Sequence, residues 1–356
     1  MLAGDGWIVR VRPRLARLSA AQVTGLCAAS RDFGNGLIDV TSRANLQLRG
    51  VSQKRLRDLL KRLVALDLVD RDPALEARRA ILVAPDWRPD DDSAWIAEAL
   101  ALRLSELPAL PGKFGFAVDA GITPSLSRSS ADVRIERGSG GGLILRADGR
   151  EIGMAVSRET AVDAMIALAH WFVATDGCAA GRMARHRLPL PAELFGREIP
   201  AAPRAEAIPG DRVYGLPFGT IEACVLAALI ERSGGKALRI TPWRMVILED
   251  GVPIDVPGLI RDHADPVIRA NACPGAPACP QATVRTRALA GRLAPHVAGR
   301  LHVSGCAKGC AHPGIAEVTV TGRNGLFDLA RAARPGESIE RSGLNADEIL
   351  AYFGVE

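Results

Sequence analysis

Four of the seven cysteines fall into two short C-terminal pairs, Cys273-x5-Cys279 and Cys306-x3-Cys310, with 26 residues between them. Two cysteine pairs that converge fix the position of two distant loops, so this pattern limits the fold more than any other feature. The first pair lies in Asn271-Ala-Cys-Pro-Gly-Ala-Pro-Ala-Cys279, where Pro274, Gly275 and Pro277 predict a loop that folds its sulfurs back together. A helix is expected after it, from about Gln281 to Leu293. The x3 spacing predicts a helical turn that puts Cys306 and Cys310 on one face. Converging thiolates suit tetrahedral zinc or a 4Fe–4S cluster. Zinc knuckles are usually tighter than x5, which favours the cluster. Cys27, Cys178 and Cys224 stand singly and read as core residues.

An odd cysteine count spread over 356 residues does not read as a secreted disulfide framework. Clustered thiols belong instead to a reducing, cytoplasmic setting. The opening Met-Leu-Ala-Gly-Asp-Gly lacks the basic and apolar regions of a signal peptide. The most apolar run, Ala161 to Ala174, carries Asp163 and His170 and falls short of the roughly 20 residues that span a bilayer. A net charge of +5 favours an acidic partner. The arginines are scattered and aromatics make up only 4% of the chain, so base-stacking platforms for nucleic acid are scarce. A small polyanion fits the charge as well.

Along the chain, residues 7–12 alternate apolar and basic, a strand with one solvated or ligand-facing side. Ser19-Ala-Ala-Gln22 is a capping box opening a helix to about Ser30. Leu37 to Leu48 reads as one strand, and Ser52 to Ala65 as a helix. The order returns 200 residues later: a helix over Ile221 to Arg232, a glycine turn, and a strand over Ala237 to Leu248. Leu26, Ala28, Gly34, Thr41 and Leu48 meet Leu226, Ala228, Gly234, Thr241 and Leu248 at constant offset. This is a domain duplication rather than a solenoid. Between the repeats lie expected strands at 80–84, 114–118, 132–136, 143–146 and 151–156, and helices over 93–104 and from Ser157 to Ala174. Gly138 to Gly142 precedes no helix and reads as a hairpin turn. Residues 189–210 carry five prolines and read as a linker.

The spacing Cys-x5-Cys and Cys-x3-Cys, after a duplicated half-domain, resembles the sirohaem-dependent sulfite and nitrite reductase superfamily. The resemblance covers nearly the whole chain. It implies an α+β architecture with a pseudo-twofold, built from two ferredoxin-like half-domains (1–70 and 211–265), a tetrapyrrole-binding domain (71–188) and a cluster domain (266–356). It also implies that Cys273, Cys279, Cys306 and Cys310 hold a 4Fe–4S cluster, with Cys310 nearest the macrocycle.

Thr41-Ser-Arg-Ala-Asn-Leu-Gln47 resembles a superfamily segment whose arginine grips tetrapyrrole carboxylates, the role implied for Arg43. Strand periodicity would put Arg43, Asn45 and Gln47 on one side, facing either ligand or solvent. Arg79, or Arg78 in the alternative register, resembles a second such arginine. Pro111-Gly-Lys-Phe114 resembles the reductases' Pro-x-Lys-Phe-Lys, which makes Lys113 a third cation. Gly115 stands where that element carries its second lysine, a group that concentrates charge on the oxyanion substrate.

That departure favours one branch. Gly4-Asp-Gly-Trp-Ile-Val-Arg-Val-Arg-Pro13 and His302-Val-Ser-Gly-Cys-Ala-Lys-Gly-Cys-Ala-His-Pro-Gly314 resemble the precorrin-3B synthases of aerobic cobalamin biosynthesis. The resemblance implies a monooxygenase that uses O2 on precorrin-3A, a metal-free polycarboxylate tetrapyrrole, with lactone formation. It implies a 4Fe–4S centre and leaves room for a separate mononuclear non-haem iron. His302 and His312 are candidate ligands or packing residues, and Lys308 faces either macrocycle or solvent. No Gly-x-Gly-x-x-Gly fingerprint follows a strand, so electrons are expected from an external reductase or ferredoxin, ultimately from NADH. Two other readings stay open: a small reductase carrying sirohaem, and a non-catalytic iron–sulfur carrier or tetrapyrrole-binding protein.

Overall fold

The computed structural model describes residues 1–191, 198–202 and 210–355. Parts of the expected linker, 192–197 and 203–209, therefore lie outside the described residues.

The duplication governs the architecture. In the first half, strand Gly6–Val11 leads through the turn Arg14–Ala16 and strand Arg17–Ser19 to helix Ala20–Phe33 and a hairpin, Leu37–Val40 with Leu46–Val51. The second half repeats the order with Val213–Gly215, Pro217–Gly219, Thr220–Glu222, Ala223–Ser233, Ala237–Ile240 and Met245–Glu249. Even a kink is repeated: Leu15 and Phe218 both hold positive φ, 52° and 56°. The capping box at Ser19 forms, its hydroxyl accepting from the Gln22 amide while Gln22 accepts from the Ser19 amide.

The halves are interlocked by exchange of edge strands. Thr220–Glu222 pairs antiparallel with Leu37–Val40 and completes the first sheet, with Ile221 opposite Ile38. Arg17–Ser19 pairs with Ala237–Ile240 and completes the second, with Leu18 opposite Leu238. The two long helices pack on each other, and Leu18, Leu26, Ile38, Ile221, Leu226 and Leu238 all lie in one buried core. A strand lent in each direction satisfies backbone groups that an open edge would leave exposed.

Two further sheets flank this body. One runs Glu198–Pro200, Ile152–Ala155, Leu143–Ala147, Val133–Arg137, Phe116–Asp119, Ile81–Val83, with its last three strands parallel. Helices Asp92–Leu102 and Ala161–Ala174 bury residues in the same core. The other runs Asn271–Ala272, Leu301–Ser304, Ala316–Arg323, Leu326–Ala333, Ile339–Leu344, covered by Arg287–Leu293 and Ala346–Tyr352.

Several expectations are corrected. Leu37 to Leu48 is a hairpin, not one strand, because Thr41 to Asn45 closes a turn with Ala44 at φ 51°. Its mate Ala237 to Leu248 breaks at Thr241 for the same reason. The second-half helix opens at Ala223, after the lent strand. The helix expected from Ser157 opens at Ala161, with Ser157 and Thr160 exchanging hydrogen bonds before it. Glu198–Pro200, read as linker, is an edge strand on Ile152–Ala155. No helix among the described residues is long and apolar enough to cross a membrane.

Because Leu18 belongs to one half by sequence and to the other by pairing, Leu18→Ala is expected to cost about 2–5 kcal/mol. The loss should appear as one shifted cooperative transition in chemical denaturation, not as selective melting of one half.

Candidate functional site

Arginines gather where the first sheet meets the six-stranded one. Strand Gly6–Val11 and the residue after it contribute Arg10 and Arg12, in keeping with the alternation seen in the sequence. The Thr41–Asn45 turn contributes Arg43. Its geometry is set by Thr41, whose Oγ1 accepts from the amides of Arg43 and Asn45, each at 3.3 Å. Arg43 and Arg182 both donate to Ser130 Oγ at 3.1 Å. Arg182 is paired at 2.8 Å with Asp132, a fully buried carboxylate that also accepts from the amides of Met183 (2.9 Å) and Gly115 (3.0 Å).

The loop presenting Ser130 and Asp132 is itself anchored. Buried Arg134 donates to the carbonyls of Leu126 and Ser129 and pairs with Glu136 and Asp148. Burial, and then the neighbouring Arg182, pulls the Arg43 pKa below the ordinary arginine value, with Arg10 and Arg12 adding to the effect. Burial followed by Arg12 does the same to Arg10. Like charges held together in a partly dry corner attract an anion.

The other expected cations are placed differently. Arg79 is largely buried, bonded to Glu76 at 3.3 Å and to the Arg12 carbonyl, while Arg12 holds Glu76 at 2.5 Å. Arg78 points away, toward the carbonyls of Leu104 and Ser105. Lys113 is exposed and has no ion pair among the described residues. Arg43, Asn45 and Gln47 do not share one strand face, because the first two sit in the turn. Gln47 stands opposite Arg10 and lines with it, Met1 and Ile8 a cavity of about 220 Å³. At Gly115 an added Cβ would lie 3.1 Å from the Ala80 carbonyl, so a side chain is resisted there.

The cysteine loop abuts this sheet. Gly4 and Arg49 both donate to the Ala278 carbonyl, at 3.0 and 3.4 Å. Thr286 Oγ1 holds the Cys273 carbonyl at 2.5 Å, and the Gly305 amide points at Cys273 Sγ from 3.1 Å. At Gly305 a Cβ would clash with the Ala282 methyl at 2.6 Å and touch that sulfur at 3.4 Å, so the close packing behind Cys273 favours glycine. Residues 305–310 form turns, not the expected helical turn, and the helix expected from Gln281 begins at Arg287. Cys273 is buried and Cys310 exposed. The Cys310 pKa is raised by the partial desolvation of its otherwise exposed thiol and then by Cys306, Cys273 and Cys279, with Lys308 opposing the shift.

Among the described residues no three His, Cys, Asp or Glu side chains could share one metal ion. An all-thiol donor set with an amide aimed at one sulfur is the donor chemistry that an iron–sulfur cluster takes. Of the remaining cysteines, expected in the core, only Cys27 is buried; Cys178 and Cys224 are exposed.

His302 is buried with neither ring nitrogen partnered, and its ring meets His312 edge-on at 5.9 Å. Sequence reasoning missed Arg182, which carries no motif, and Arg244, whose guanidinium donates to the Ala311 carbonyl at 2.6 Å. Arg244 occupies the second-half turn equivalent to Thr41–Asn45, a signal the repeat contained. A cavity of about 1240 Å³ lies elsewhere, lined by Arg14, Trp87, Trp95, Arg239 and Glu249 and by none of the expected residues.

Residues 1–66 match the nitrite/sulfite reductase ferredoxin-like half domain. A precorrin-3B synthase from Sinorhizobium is 31% identical, the alignment covering 92% of this chain and 80% of that protein. The chain belongs to the precorrin-3B synthase family. Members of this family are enzymes, and the chain is an oxidoreductase. The structure of Mycobacterium tuberculosis NirA matches with a TM-score of 0.65 at 19% identity, covering 97% of this chain and 79% of that one. That likeness establishes the nitrite/sulfite reductase-like α+β fold within which this precorrin-3B synthase relative is built.

Burial, His312 and Arg244 push the His302 pKa from 6.5 down to about 4. The unfolded chain thus takes up the proton first, so stability is full above pH 6.5 and falls as the pH drops toward 4. His302→Leu should flatten the decline in melting temperature between pH 7 and pH 5 relative to the parent.

Proposed function

We propose that the chain is a precorrin-3B synthase that inserts one oxygen atom of O2 into precorrin-3A, with lactone formation by the ring A acetate. The observation that carries this reading is the relative of that name aligned over 92% of the chain. The arginine corner supports it. A metal-free tetrapyrrole with many carboxylates needs several cations at fixed spacing, and Arg12, Arg43 and Arg182 are held in place by Glu76, Ser130 and Asp132, with Arg10 beside them. Guanidinium forks match carboxylates bidentately, with Lys113 as an outlying point charge.

Cys273, Cys279, Cys306 and Cys310 would hold a 4Fe–4S cluster, which supplies single electrons when bound. One oxygen atom enters the substrate and the other leaves as water, consuming two electrons and two protons from an external donor. Gly115 supports oxygenation over oxyanion reduction: the reductase-like lysine is missing, and the Asp132 carboxylate takes the Gly115 amide. Gln47, beside Arg10, can hydrogen-bond the macrocycle edge, and the reading takes Asn45 and Lys308 as further contacts to it.

The decisive experiment incubates holoenzyme with precorrin-3A, 18O2 and a chemical reductant, then reads one added label by mass spectrometry. Haem bands in the purified protein, with reduction of sulfite or nitrite and no labelled product, would overturn the reading. Cys310→Ser should lose iron, sulfide and activity together; wild-type iron and sulfide content would refute its ligand role. Arg43→Ala should weaken tetrapyrrole binding about tenfold or more, the range of one charged hydrogen bond, while the cluster spectrum stays intact.

A further inference from the structure

The two halves carry equivalent turns with different cargo. Thr41 and Thr241 each close the turn through their amides, to the Asn45 and Met245 carbonyls, and each hydroxyl accepts from two turn amides. The left-handed position is filled by Ala44 in the first half and by Arg244, at φ 63°, in the second. Arg244 is the one arginine with positive φ among the described residues. That conformation costs a side-chain-bearing residue about 1–2 kcal/mol. Such an outlier points to a use for the side chain it projects.

Its path is built. The Arg244 methylenes lie where a Cβ on Gly219 would stand, 2.9 Å from Cδ, and the same Cβ would press on the Val40 carbonyl at 3.0 Å. Val40 ends the strand that feeds the Arg43 turn. At its far end the guanidinium reaches Ala311, the residue after Cys310. Arg244 therefore bridges the first-half sheet and the cysteine strap. The charged groups around it are Arg287, Arg300, His302 and His312, with Asp39 committed to Arg287 and Arg49, and Glu317 to the Arg300 amide. No carboxylate pairs with Arg244 among the described residues. A guanidinium has five N–H donors, and one carbonyl does not satisfy them.

We propose that Arg244 is a substrate-binding residue that grips an acetate or propionate on the macrocycle edge nearest Cys310, an anchor distinct from the Arg43 and Arg182 corner. The inference rests on the tetrapyrrole reading given above. It assigns the second half of the duplication a direct part in recognition.

The test titrates uroporphyrin I, an eight-carboxylate probe, into holoprotein by fluorescence, with iron and sulfide measured on every preparation. Arg244→Ala is expected to raise Kd about tenfold or more at wild-type iron content and to flatten the salt dependence of binding. Arg244→Lys should restore part of the affinity, as a point charge without the fork. An unchanged Kd and salt slope in Arg244→Ala would overturn the proposal. So would loss of iron in both variants, which would make Arg244 a strut for the cysteine strap. If the parent protein, and not only its variants, fails to bind the probe, the tetrapyrrole reading falls and this inference with it.

Discussion

The exchange of edge strands between the two halves is the constraint on which the remaining structure depends. Thr220–Glu222 and Arg17–Ser19 each complete a sheet begun some two hundred residues away. The exchange fixes how the two hairpins face each other, and so where the turns at Thr41 and Thr241 deliver their side chains. It also sets Gly219 against Val40, the close approach through which Arg244 runs. Neither flanking sheet could present its part of the site without this frame. The arginine corner needs the Ser130 loop from one side, and the cysteine loop needs Ala278 held by Gly4 and Arg49 from the other.

Charge is organised by the same frame. Guanidinium groups that would repel one another are fastened individually to Ser130, Asp132, Glu76 or a backbone carbonyl. Their positions are therefore set while their net charge remains. Asp132 is central: fully buried, it takes two amides and one guanidinium, which satisfies a charge that would otherwise be costly to bury. The thiols are arranged on the opposite principle. Cys273 is buried against an amide while Cys310 reaches solvent, so the four-thiol corner has an inner and an outer end.

Much of this was legible in the sequence, for identifiable reasons. The duplication showed because helix, glycine turn and threonine recur at constant offset. The cysteine pairs and Arg43 showed because motifs carry them. The hairpins look like single strands in the sequence because Thr41 and Thr241 act through hydroxyl bonds to the backbone, a local device that apolar periodicity does not register. Arg182 was invisible because its place depends on Asp132, fifty residues away. The helical turn expected at Cys306 failed because Gly309 takes φ 60° and bends the strap. Prolines dominate the stretch around Glu198–Pro200 and mask its strand character, although an edge strand tolerates proline.

The prefastened cations have a further consequence. An enzyme that orders its recognition groups only when ligand arrives loses conformational entropy in the binding step, and its turnover is commonly gated by the reopening of a lid. Here Ser130, Asp132 and Arg134 tie the loop and its guanidinium groups together through hydrogen bonds and ion pairs. Affinity for a large anion can then come from electrostatics without a folding penalty. On the reading proposed above, departure of a bound polycarboxylate would break several charged contacts in succession, a step that ionic strength speeds.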